Sequence, residues 1–149
     1  MESSAKIEIF RKWVLGTGIF NIVVYSTLLF PFTVKVLLDI SNAMNNALGL
    51  GGMSFPVPTN TNHLVMMHVA GICVVCLGIM LVIASFDVMK RAWFVFWEGL
   101  LRIIAFLYIL FYVVCMNSIA TLLLFGAADL IIGIVYMYFI FTIDGLSIK

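Results

Sequence analysis

Four long apolar runs dominate this chain and set what it can fold into. They lie at about Trp13–Phe30, Asn62–Ala84, Ala92–Cys115 and Ile119–Thr142. A helix rises about 1.5 Å per residue and a hydrocarbon core is roughly 30 Å thick, so each run covers most or all of a bilayer. In lipid every backbone N–H and C=O must be paired within the protein, and uninterrupted apolar runs of this length meet that demand as helices. The expected fold is all-α: a polytopic membrane protein, one transmembrane domain over residues 1–149, built as an antiparallel bundle of four transmembrane helices.

Composition agrees. Of 149 residues, 64% are hydrophobic and 10% charged, against roughly 25% charged in soluble domains. The net charge of +1 says nothing about nucleic acid, but no basic tract large enough to track phosphates is present, so no nucleic-acid partner is expected. Met1–Lys12 is polar and weakly basic, and no Ala-x-Ala-like site follows the first run, which is expected to be a retained signal-anchor helix. Cys73, Cys76 and Cys115 all lie inside apolar runs, where small apolar packing is their expected role.

The connections differ in kind. Asp87–Arg91 is a short charged turn and Asn117-Ser118 a tight one, which makes consecutive helices antiparallel neighbours. The first connection, residues 31–61, is long. Leu37, Ile40, Met44 and Leu48 share one face of a helical pattern, and Lys35, Asp39, Asn42 and Asn46 another. A short amphipathic helix, or an extension of the first helix beyond the membrane, is expected there, ended by Gly49, Gly51, Gly52, Pro56 and Pro58. Basic residues cluster on one side: Arg11, Lys12, Lys90, Arg91 and Lys149, against Lys35 alone on the other. The positive-inside rule makes both termini cytoplasmic, and Trp13, Trp93 and Trp97 sit at that boundary.

Each run also carries a face of small or polar residues: Gly18, Asn21 and Tyr25; His68, Gly71 and Gly78; Glu98, Arg102, Ala105 and Tyr112; Gly126, Asp129, Gly133 and Tyr136. Such faces point into a bundle. Arg102 lies ten residues beyond Ala92 and Asp129 ten beyond Ile119, so antiparallel helices bring both near the midplane. Asn21, Glu98, Arg102 and Asp129 form the expected polar cluster, with Tyr25, His68, Tyr112 and Tyr136 as candidate cavity lining. Two roles are open for it. It can be a structural tie, because a buried arginine needs partners. It can also be a site, since the guanidinium fork suits a carboxylate, phosphate or quinone oxygen. Two acids on one arginine leave one negative charge in excess, and burial then favours protonating one acid, the basis of a proton carrier.

Other constellations point less far. His63 and His68 are five residues apart and face different ways, which argues against a metal or haem. Cys73-Val74-Val75-Cys76 matches C-x-x-C but lies deep in a helix with no second pair to relay electrons. No serine elbow, phosphate-binding glycine loop or zinc motif occurs. No metal is expected and no cofactor is required, although a quinone or a lipid would suit the cluster.

Gly16-Thr17-Gly18, the proline-bearing first connection, the basic turn before the third run, Arg102 and Gly126-Ala127-Ala128-Asp129-Leu130 together resemble the DoxX/BphX-like group of small bacterial membrane proteins. The resemblance implies a four-helix protein of the bacterial inner membrane. Some members are linked by name to quinol oxidation or aromatic degradation, and the group supplies no catalytic residues to carry over. From the residues themselves, the small size, tiny extramembrane mass and absence of a catalytic constellation make the expectation a non-enzymatic integral membrane protein, an accessory or assembly subunit of a larger complex. Beyond the lipid bilayer, its partners would be another membrane protein or copies of itself. The alternative is a binder of a quinone or lipid, or a proton or solute carrier, working through Glu98, Arg102 and Asp129.

Overall fold

A computed structural model describes residues 2–143 apart from 57 and 59; Lys149, one of the basic residues used for orientation, lies outside them. Five helices follow in order: α1 (Glu2–Tyr25), α2 (Pro31–Ala47), α3 (Thr61–Ser85), α4 (Ala92–Met116) and α5 (Leu122–Thr142). α1 with the short 3-10 turn after it, α3, α4 and α5 are long and apolar enough to cross a membrane. The chain is an integral membrane protein built as a four-helix bundle. Its outer surface carries large apolar side chains such as Val23, Val114 and Phe141, as a lipid-facing surface does.

α1 packs along α3, and α4 along α5, each pair antiparallel. Glycines set these distances. A Cβ on Gly18 would lie 2.8 Å from the carbonyl oxygen of Gly78, and one on Gly133 2.8 Å from that of Gly99, so the backbones meet with no side chain between them. The two pairs join in a core of Phe10, Val14, Leu81, Ala84, Val88, Val95, Tyr136, Phe139 and Ile140. Phe10 stacks on Phe139 at 5.3 Å and meets Tyr136 edge-on at 6.2 Å. This core lies toward the end that carries Arg11, Lys12 and the Asp87–Arg91 turn. In that turn the Lys90 amide donates to Asp87 Oδ1 at 3.3 Å, which holds the Asp87 carboxyl below its ordinary range, with the Lys90 ammonium adding to the effect.

The first run departs from the sequence expectation at both ends. Its helix begins at Glu2 rather than near Trp13, and regular α-helix stops at Tyr25. The Ser26 hydroxyl donates back to the Ile22 carbonyl and Thr27 to that of Val24. Residues 26–29 then tighten into a 3-10 turn, a competition with the helical ladder typical of hydroxyl side chains. Pro31 holds Phe30 extended and starts α2 at its first position, where its missing N–H costs nothing.

α2 forms as expected, and a partly polar face is the one it turns inward. Its buried residues are Val34, Leu38, Ser41 and Asn45, whereas Ile40, Met44 and Leu48 face outward and Leu37 is half-buried. Polar anchoring holds that face. Asn45 Oδ1 accepts from the amide of Thr121 at 3.1 Å and from its hydroxyl at 2.9 Å, while Asn45 Nδ2 donates to Leu50 O at 3.0 Å. Asn42 is paired to the backbone of Phe55 in both directions. The helix ends in a Schellman motif: Gly49 N–H donates to Asn46 O and Leu50 N–H to Asn45 O. Gly49 takes the left-handed conformation, φ +63°, that the motif requires.

The fourth run is also shorter than expected, because α5 starts at Leu122 and not at Ile119. Residues 117–120 pair instead with the first connection. Met53 N–H donates to Asn117 O and Ala120 N–H to Gly51 O, and Ile119 is buried there. Gly52 allows the contact, since a Cβ on it would lie 2.1 Å from Ser118 O. Asn45 thus pins α2 to the start of α5. Asn45→Ala leaves the buried Thr121 amide unpaired, at a cost of about 1–3 kcal/mol. Amide hydrogen exchange over residues 48–56 should speed up while the centres of α3 and α4 stay protected.

Candidate functional site

Arg102 lies on the face of α4 turned toward α5 and α1. Gly99 and Gly133 let α4 and α5 touch one turn away, which brings Asp129 within reach of the guanidinium. Arg102 Nε donates to Glu98 Oε1 at 2.6 Å, and Nη2 lies 2.6 Å from the same oxygen. Nη1 donates to Asp129 Oδ1. Nη2 also donates to Asn21 Oδ1 at 2.9 Å. All three guanidinium nitrogens are therefore engaged, by partners on α1, α4 and α5.

Burial sharpens the picture. Asn21, Glu98 and Arg102 are 1%, 5% and 7% exposed, so the pairs are charge-assisted bonds in a water-poor setting and correspondingly strong. The Asp129 side chain is more open at 21%. Glu98 Oε2 is buried without a hydrogen-bond partner among the described residues. Two carboxylates face one guanidinium, so the formal charge of the cluster is one negative unit when both are ionised.

The structure brings Asn21, Glu98, Arg102 and Asp129 together, the four residues singled out from spacing. The four candidate cavity residues separate. Tyr25 lines a cavity that Asp129 also borders. Tyr136 is fully buried in the aromatic core against Phe10, which is packed and leaves it no cavity to line. Tyr112 is 51% exposed with its ring against Phe111; it sits beyond the arc of α4 that meets α5 and turns outward. His68 is half-buried on α3, its Nε2 without a partner among the described residues, and takes no part in the cluster's hydrogen bonds.

Sequence reasoning missed several parts of the site. Gly99, which lets α5 approach, was hidden beside the conspicuous Glu98; its spacing to Arg102 was the available signal. The cavity walls supplied by Leu37, Leu38, Ser41 and Phe55 depend on which face of α2 turns inward, and the asparagines Asn42 and Asn45 were the clue to that face. The cysteines, expected as packing residues, are free and exposed on the outer faces of α3 and α4. Among the described residues, no three His, Cys, Asp or Glu side chains are grouped to hold a metal ion.

No family model, curated protein or solved structure matches this chain.

Proposed function

We propose that this integral membrane protein is a non-enzymatic accessory or assembly subunit of a larger membrane complex. We place it in a bacterial inner membrane with both termini cytoplasmic, within the DoxX/BphX-like group its layout resembles. The engagement of Arg102 carries the reading. Its three nitrogens are already committed to Glu98, Asp129 and Asn21, which suits a joint between helices better than a grip on an incoming ligand. The partner would be another membrane protein or further copies of this chain.

Gentle solubilisation from native membranes tests this. The expected result is a stoichiometric complex whose other subunit falls in abundance when this chain is deleted. A monomer with no co-purifying subunit and no effect of deletion on other membrane proteins would overturn it.

One observation favours a second reading. Asp129 is the least buried member of the cluster and borders a cavity, which supports a small-molecule binder, for a quinone or lipid, or a proton or solute carrier, acting through Glu98, Arg102 and Asp129.

A further inference from the structure

A cavity of about 230 Å³ lies between the end of α1, α2 and α5. Leu28, Leu37, Leu38 and Phe125 form apolar walls, and Asp129 brings a carboxylate to its border. Phe55 also lines it, held by the paired hydrogen bonds with Asn42 at 3.0 and 2.8 Å. An apolar space of roughly 150 Å³ already accepts a benzene-sized molecule, so this one takes a single ring carrying a short polar arm. It is too small for a larger ligand, whose pockets run to roughly 300–1,000 Å³.

The electrostatics choose the arm. Arg102 engages Oδ1 of Asp129, and the described residues bring no donor to Oδ2. With Glu98 also on Arg102, the cluster has more carboxylate than guanidinium to balance it. An anion entering the cavity meets repulsion and a neutral hydroxyl gains one hydrogen bond. An ammonium gains a charge-assisted bond and keeps both acids ionised, cancelling the excess charge that burial would otherwise remove by protonating one of them.

We propose that this cavity binds a small lipophilic amine in its ammonium form, with the hydrocarbon ring against Leu28, Leu37, Leu38 and Phe125 and the nitrogen on Asp129. The proposal rests on the small-molecule reading above and puts a smaller, cationic ligand in place of its quinone or lipid, as this volume requires. No partner is needed to complete the site, because the walls and the carboxylate come from one chain.

Three ring-sized probes that differ only in the polar arm test it: 4,4-difluorocyclohexylamine, 4,4-difluorocyclohexanol and 4,4-difluorocyclohexanecarboxylate. Their binding to the full chain in detergent micelles is read by fluorine NMR, with empty micelles as the blank for partitioning. The amine should bind saturably, the alcohol about tenfold more weakly, and the carboxylate not at all. Leu37→Trp fills the cavity and should abolish amine binding while the helical circular dichroism is kept. Leu28→Trp fills it from the opposite wall and serves if the first variant does not fold. If the alcohol or the carboxylate binds as well as the amine, and the tryptophan variant removes that binding, the amine assignment is wrong while the small-molecule reading survives. If no probe binds saturably, or the filled variants bind like the parent, both fall.

Discussion

Arg102→Met should abolish accumulation of the folded protein. The substitution keeps much of the side-chain volume but strands Glu98 and Asp129, two carboxylates placed to face a cation, and leaves Asn21 Oδ1 without its donor. Removing one member of a buried ion pair costs about 3–5 kcal/mol, a large share of the roughly 5–15 kcal/mol by which most proteins are stable. Membrane abundance at matched transcript level and unfolding in a denaturing detergent series both report the loss. A variant that accumulates normally and unfolds like the parent would show that the charge bears no structural weight.

Replacing the contact glycines should be the next most damaging change. In Gly18→Ala and Gly133→Ala the new methyl would sit 2.8 Å from the backbone carbonyls of Gly78 and Gly99. Backbone cannot swing aside as a long side chain can, so whole helices must separate and the neighbouring contacts loosen. Overpacking of this kind costs about 1–3 kcal/mol, here divided between the α1–α3 and α4–α5 seams. Gly16→Ala is the control: nothing lies within 4 Å of its Cβ position, and alanine favours helix over glycine by roughly 0.5–1 kcal/mol. Thermal unfolding should rank Gly16→Ala at or above the parent and the other two well below. Three equal melting temperatures would remove the close-packed seams from the account.

What could be read from the sequence follows from how many physical constraints act on each residue. The spans were legible because lipid leaves a long apolar run few alternatives to helix. The polar cluster was legible because an arginine in such a run must be paired, and antiparallel neighbours fix which residues share its depth. Boundaries were less so. Ser26 and Thr27 look like minor interruptions of an apolar run, yet their hydroxyls turn helix into a 3-10 turn. Residues 119–121 continue the apolar pattern of the last span, and only the long-range bonds from Gly51, Met53 and Asn45 draw them out of the helix. Non-local bonds of the same kind orient α2, so Asn45 is buried while Ile40, Met44 and Leu48 are exposed. Tyr112 and Tyr136 are both tyrosines on the polar side of their helices, but one is exposed and the other sealed in the core. The difference lies in the packing of α1 on α5, about which neither helix's own sequence is informative.

The triple replacement Glu98→Leu, Arg102→Met, Asp129→Leu tests most directly whether the cluster is a structural joint. Buried ion pairs exchanged as a set for apolar side chains of similar size are often neutral or stabilising, by about 1–4 kcal/mol, whereas loss of one partner is costly. Membrane abundance and the unfolding midpoint, compared across the parent, Arg102→Met and the triple variant, are the measurement. The triple variant should recover the abundance and stability lost in Arg102→Met. A triple variant as poorly folded as the single one, or an Arg102→Met protein that folds normally and loses only an activity, would contradict it.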